Sequence, residues 1–270
     1  MREIPLSSRN LVFIDVETTG LAPCGGDAIC EIGAVKINTQ EKIIDKFHTL
    51  VNPRREIPSQ VSLIHGIYNK DVEGAPYFEE IAPSLLDFLE DSILCGYNIG
   101  FDLGFINREL EKINYPPLYL PAIDVLLMAR GNLPQLPSYT LPSVARYLHI
   151  EVKNFHRALE DSLLTREVFQ RIRTNLKDKG IVKIEDILSL YGLNNAFFKS
   201  FQEPKLALIR ECILAKVKAK IVYLNSGGRV STFIVVPQSI QEDKDTYLVG
   251  RTPQGEIILN VKQILEIEVF

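Results

Sequence analysis

The apolar, β-rich run Leu11–Val16 ends in two acids spaced two apart, Asp15 and Glu17, inside the motif Asp15-Val16-Glu17-Thr18-Thr19-Gly20. This feature constrains the fold most. A short apolar run of this kind predicts a buried strand, and residues two apart on a strand point to the same face. Two carboxylates therefore stand side by side at the end of a core strand. There they repel each other and lose hydration, so one reading places a divalent cation with oxygen ligands between them. The other reading is a pair of acids at a strand end facing water. The motif alone leaves both open.

The surrounding pattern predicts an α/β fold. Ala28–Ile37 and Ile43–Val51 read as strands joined by the polar turn Asn38–Lys42, and Ile93–Tyr97 as a further strand. Helical periodicity runs through Ser59–Gly66, Phe78–Glu90, Asp102–Ile113, Ile123–Ala129, Leu141–Leu148 and Ala158–Asn175, with a Pro-rich loop at Leu133–Pro142. Strands first, then strands alternating with helices, imply a mixed central sheet flanked by helices. That domain is expected to occupy 1–178, followed by a helical connection over 179–203. From Lys205–Val217, read as a helix, the pattern changes to short strands at Lys220–Leu224, Thr232–Val236, Thr246–Gly250, Glu256–Leu259 and Ile264–Val269. This predicts a small, mostly-β module over 204–270.

Hydrophobic residues make up 46% of the 270, enough for a substantial core. No run is long and apolar enough to cross a bilayer, and Met1–Asn10 lacks the apolar centre of a signal peptide. A cytoplasmic location is the expectation. Cys24, Cys30, Cys95 and Cys212 are scattered, with no second pair to complete a zinc site, and read as reduced thiols. The net charge is −4; the stretch 204–270 holds nine Lys/Arg against seven Asp/Glu, +2, which leaves −6 for 1–203. Acids that bind cations would contribute to that excess, as would an ordinary solvated surface, so charge does not discriminate.

Two further motifs carry chemistry-bearing side chains. In Tyr97-Asn98-Ile99-Gly100-Phe101-Asp102 a strand gives way to a helix, and Asp102 is either an N-cap carboxylate or a third acid aimed across the strand ends. In His156-Arg157-Ala158-Leu159-Glu160-Asp161 the spacing is too long for one helical face. His156 is expected on the loop entering the helix, where it can titrate near neutrality, with Asp161 in the first turns. The alternative is a surface histidine and a helix-start aspartate.

In this order, Asp-x-Glu-x-Thr-Gly, Asn-x-x-Phe-Asp and His-x-x-x-x-Asp resemble the DEDDh (DnaQ-like) exonucleases, a superfamily that includes polymerase proofreading subunits, ribonuclease T and oligoribonuclease. The resemblance covers the first two-thirds of the chain. It takes in Phe47–Pro53 (Phe-x-x-Leu-Val-Asn-Pro), His65-Gly66-Ile67, Ile123-Asp124 and Leu141–Leu148. Tyr97, Tyr68 and Ser162 depart from the usual His, Thr and Ala, which bears on substrate preference rather than chemistry. The resemblance implies a ribonuclease H-like fold and two Mg²⁺ or Mn²⁺ ions held by Asp15, Glu17, Asp102 and Asp161, with His156 as general base. It implies a terminal nucleotide held at Thr18, Gly20, Leu21, His65, Asn98 and Phe101, although Phe101 is also readable as core and His65 as a cap. The implied partners are 3′ ends of single-stranded DNA or RNA. A DNA polymerase or repair complex is a further candidate, but no polymerase-docking segment stands out, which favours an independent nuclease.

The final stretch resembles the WYL domain, a small SH3-like β-fold linked to nucleic-acid or nucleotide binding. Ile221-Val222-Tyr223, Val236-Pro237, Tyr247-Leu248-Val249 and Ile264–Val269 carry the likeness, although the namesake Trp is absent. Lys216, Lys218, Lys220, Arg229 and Arg251 are candidates to hold single-stranded backbone, or form a solvated face. Three functions follow: an exonuclease on single-stranded or frayed ends, an oligoribonuclease-like enzyme on short RNA, or a catalytically silent nucleic-acid-binding regulator.

Overall fold

A computed structural model of the chain describes residues 5–152, 156–193, 196–224, 230–242 and 246–269. It divides into two compact units, Met1–Arg173 and Thr174–Phe270.

The first unit is built on a five-stranded mixed sheet of order β3-β2-β1-β4-β5. Its strands are β1 (Asn10–Thr18), β2 (Ile29–Ile37), β3 (Ile43–Leu50), β4 (Ser92–Gly96) and β5 (Ala122–Asp124). β1 lies in the middle, antiparallel to β2 and parallel to β4. Its burial explains the unbroken apolar run: Val12, Phe13 and Ile14 are all at most 1% exposed, as expected for a strand covered on both faces. The helices are α1 (Ser59–His65), α2 (Asn69–Val72), α3 (Phe78–Leu89), α4 (Ile99–Lys112), α5 (Val125–Asn132), α6 (Leu141–Tyr147) and α7 (Ala158–Asp178), whose end passes the unit boundary. Phe169 of α7 meets Phe13 of β1 edge-on, with ring centres 5.3 Å apart. That contact ties the last helix of the unit to its central strand.

Three expectations change. Ile123–Ala129, read as one helix, is a strand followed by a helix. Ala122–Asp124 pairs with β4, and the Asp124 carboxylate then caps α5 by accepting the Leu126 and Leu127 N–H groups at 2.9 and 3.3 Å. A short apolar run does not by itself separate a buried strand from a buried helix. α4 begins at Ile99, three residues before Asp102, because Asn98 turns left-handed (φ 65°, ψ 45°) and starts the helix itself. Asp102 is therefore not the N-cap. The four-residue helix α2 was not foreseen.

In the second unit, where one or two connecting helices over Ile181–Gln202 and a further helix at Lys205–Val217 are expected, α8 (Ile184–Tyr191) precedes α9 (Ala196–Ala215), which runs unbroken from the connection into the later helix. A second sheet follows, of order β10-β6-β7-β8-β9. Its strands are β6 (Ala219–Leu224), β7 (Val230–Glu242), β8 (Thr246–Thr252), β9 (Gly255–Asn260) and β10 (Ile264–Val269), and all neighbours are antiparallel. Gly227–Gly228 and Asp243–Asp245, expected from the sequence to form turns between these strands, lie outside the described residues. β7 pairs with β6 through Val230–Val235 and with β8 from Val236 onward, with an irregularity between Pro237 and Ser239. Gly250 lies against that corner: a Cβ there would fall 2.4 Å from Val235 Cγ1. The core joins Leu206, Ile209 and Cys212 of α9 to Ile221, Val235 and Leu248 of the sheet.

Candidate active site

β1 delivers Asp15 and Glu17 to one face, and the first turns of α7 bring Asp161 to them. Ligand oxygens of these three carboxylates lie within 4.8 Å of one another. Asp102 joins from α4, 3% exposed, with its Oδ1 accepting the Val16 N–H at 3.0 Å. That bond anchors Asp102 to the peptide between Asp15 and Glu17. Behind it, Asp124 also accepts the Asn98 N–H at 3.2 Å, fixing the left-handed corner from which α4 departs.

The electrostatics are those of crowded anions. Burial, then the charges of Asp102, Asp161 and Glu17, push Asp15 well above the ordinary carboxyl range. Burial and then Asp161 raise Glu17 to about 8. Asp102 is raised to about 8 by burial, against the lowering effect of the Val16 N–H. Asp161 reaches about 6 through burial, opposed by the nearby His156. Four acids kept this close need protons or cations to neutralise them. Their all-oxygen donor set suits hard divalent ions.

His156 is exposed and precedes α7 with a left-handed backbone, φ 59°. The Arg157 carbonyl accepts the Asp161 N–H at 2.9 Å, placing His156 on the entering loop and Asp161 one turn into the helix. The loop after β1 is braced by Asp27, which accepts from Thr19 Oγ1 at 3.3 Å and from the Ala22 N–H at 3.0 Å. Gly20 packs against the same side chain, since a Cβ would meet Asp27 Oδ2 at 2.3 Å. Thr18 Oγ1 donates to the Gly20 carbonyl at 2.6 Å. Leu21 projects beyond this brace, 84% exposed. His65 is only 4% exposed; its Nδ1 accepts the Ile67 N–H at 3.0 Å and its ring bonds to the Thr18 backbone. Asn98 is exposed, and Phe101 is partly buried against Phe105, ring centres 4.9 Å apart.

Glu31 escaped the motif reading. It is the cross-strand partner of Glu17 and fully buried. Burial alone would raise its pKa, but hydrogen bonds from Arg157, His48 and the Ala158 N–H outweigh this and hold it below the usual value. One signal was available: Glu31 interrupts the otherwise apolar stretch Ala28–Val35. A carboxylate buried there requires a paired cation.

The family model described as exonuclease (RNase_T) matches residues 12–169. The chain is 41% identical over 179 residues to a DNA polymerase III PolC-type of Thermotoga maritima, a match covering 66% of this chain and 13% of that protein. The chain therefore spans about an eighth of the PolC-type relative's length. It is 35% identical over 170 residues to a DNA polymerase III subunit epsilon of Rickettsia felis, covering 61% of this chain and 74% of that protein. Among solved structures, exonuclease X in complex with 5′ overhanging duplex DNA superposes with a TM-score of 0.53 at 25% identity, over 66% of this chain and 99% of that one. Exonuclease I shares the fold at a TM-score of 0.61 and 14% identity, over 95% of this chain and 64% of that one. With the matched segment spanning β1 to α7, the chain belongs to the RNase_T exonuclease family.

Proposed function

We propose that this protein is a 3′→5′ exonuclease that hydrolyses the terminal phosphodiester of single-stranded or frayed nucleic acid, DNA in preference to RNA, and releases 5′-mononucleotides. The observation that carries this reading is the convergence of Asp15, Glu17 and Asp161 within 4.8 Å, with Asp102 fastened between the first two. Asp15, Glu17, Asp102 and Asp161 would hold two Mg²⁺ or Mn²⁺. Divalent cations there supply positive charge opposite the reacting phosphate and lower the pKa of water. His156, exposed beside Asp161, accepts the proton of the attacking water.

The 3′-terminal nucleotide would lie against Thr18, Gly20 and Leu21. Leu21 offers an apolar surface to the last base, and His65 braces the Thr18 backbone from behind. Asn98 and Phe101 border the site from the start of α4. The preference for DNA draws on the relatives named as DNA polymerase III components and on the exonuclease X complex with overhanging duplex DNA. The same names make a DNA polymerase or repair complex the partner class to test. For 204–270 we retain the WYL-like reading, with exposed Lys216, Lys218 and Arg251 available to single-stranded backbone. Lys220 instead pairs with Glu268 at 2.9 Å, and Arg229 lies outside the described residues.

Oligonucleotides of DNA and RNA, labelled at either end, test the proposal in Mg²⁺, Mn²⁺ or EDTA. A 3′ label should appear at once as mononucleotide, a 5′ label should mark a shortening ladder, and EDTA should stop both. Mononucleotide release from the 5′ end, or turnover in EDTA, would overturn it. Activity confined to RNA of a few nucleotides would select the oligoribonuclease-like alternative.

A further inference from the structure

We propose that Glu31 and Arg157 are positioning residues: a buried carboxylate–guanidinium clamp that seats the start of α7 on β2 and so sets His156 and Asp161 against Glu17. The inference rests on the active-site reading above. It begins from strand register. Asp15, Gly33 and His48 form one row across β1, β2 and β3, and Glu17, Glu31 and Leu50 form the next. Directly paired residues share a face, so Gly33 and Glu31 lie on the same face as the acids of β1.

Both residues of β2 are committed to α7. Arg157 Nε donates to the two Glu31 oxygens at 3.1 Å each, and Nη2 donates to Oε1 at 2.6 Å. The Ala158 N–H adds a bond to Oε2 at 2.9 Å, and His48 Nε2 lies 2.7 Å from Oε1. Glu31 thus has both oxygens occupied by protein donors, unlike the acids grouped around Asp15. One step along the strand, Gly33 lets the helix backbone touch the sheet: a Cβ there would lie 2.1 Å from Leu159 N. One turn into the helix, Ser162 Oγ donates to the Gly33 carbonyl at 2.8 Å. Three successive attachments leave α7 little freedom to slide or rotate on β2.

The clamp sits between the groups it would position. Arg157 follows His156 directly, and its carbonyl receives the Asp161 N–H. Any shift of the Arg157–Glu31 pair moves the imidazole and the carboxylate together. The guanidinium offsets part of the Glu31 charge beside Glu17. A bidentate pair of this kind fixes orientation as well as charge, and lysine does not reproduce it.

The test compares wild type with Glu31→Gln/Arg157→Gln, which leaves no lone buried charge, with Arg157→Lys, which keeps the charge pair and the fold, and with Asp161→Ala. Mn²⁺ binding to the protein without substrate, kcat and KM on a 3′-labelled oligonucleotide, and metal-free hydrogen exchange over 156–162 are measured. In the double variant the Mn²⁺ dissociation constant should rise about 10- to 100-fold and kcat fall by a similar factor, the scale on which outer partners of metal ligands act. KM should change by less than about threefold, since the interaction serves the chemical step rather than ground-state binding. Amides over 156–162 should exchange faster, and Arg157→Lys should fall between. Mn²⁺ binding and turnover at wild-type level in both clamp variants, with both lost in Asp161→Ala, would remove the clamp and leave the active-site reading standing. A wild type that neither binds Mn²⁺ nor releases nucleotides would remove both.

Discussion

Glu17 and Asp102, each raised to about 8, are acids held in a place where a carboxylate costs stability unless something positive sits beside it. Replacing Asp15 by Asn should lower exonuclease kcat on the order of 10³-fold or more, since the charge stabilisation at stake is several kcal/mol. It should also raise the melting temperature of the metal-free protein at pH 8, because it removes one member of a repelling set. Steady-state kinetics and thermal melts of the same preparation check both. For His156→Ala the expected loss is about 10²–10⁴-fold in kcat with little change in KM, and single-turnover kinetics would locate it in the chemical step. The resemblance of the three motifs to the DEDDh exonucleases named Asp15, Glu17, Asp102, His156 and Asp161 as one set; of these, Asp15, Glu17 and Asp161 lie within 4.8 Å of one another, and Asp102 is bonded to the Val16 N–H. Glu31, Asp124 and Asp27 were not readable in the same way. Glu31 acts through Arg157 and the Ala158 N–H far along the chain, while Asp27 and Asp124 brace backbone N–H groups within a loop and a helix start, and a single acid of this kind carries no spacing to recognise.

Most strands and helices were legible from periodicity because burial on one or both faces dictates it. Boundaries failed where a side chain, not hydrophobic pattern, decides the start of an element. Asp124 converts one apolar run into strand and helix, and Asn98 moves the start of α4 forward by three residues. Gly33 shows the opposite dependence, of one helix on one absent side chain. Alanine there would meet α7 backbone rather than a flexible tip, so β2 and α7 must separate. Overpacking of this sort costs about 1–3 kcal/mol. Gly33→Ala should therefore lose that much in urea unfolding and also lose activity beyond the loss in folded fraction. A variant with wild-type activity would show that α7 tolerates the displacement.

At the scale of the molecule, the raised carboxyls set how stability depends on pH. Asp161 titrates near 6 and Glu17 and Asp102 near 8 in the folded chain, against about 4 for unfolded carboxyls. Between those values the folded chain holds more protons than the unfolded one, so metal-free stability falls as pH rises from about 4 to 8. Cation binding needs the deprotonated forms and strengthens over the same interval. The melting temperature without metal should drop between pH 5 and pH 8, and saturating Mn²⁺ should raise it more at pH 8 than at pH 5. Calorimetry at the two pH values, with and without EDTA, checks the sign. The α/β class and the presence of a separate β-rich module were visible in the order of elements. The continuity of α9 was not, since the composition change at its middle resembles a break. Finally, β7 pairs with one neighbour by its first half and another by its second. A chain break at the middle of that strand would uncouple the β6 pairing from the β8 pairing, whereas a break at the Pro253–Gln254 turn would leave β7 whole and still joining the two.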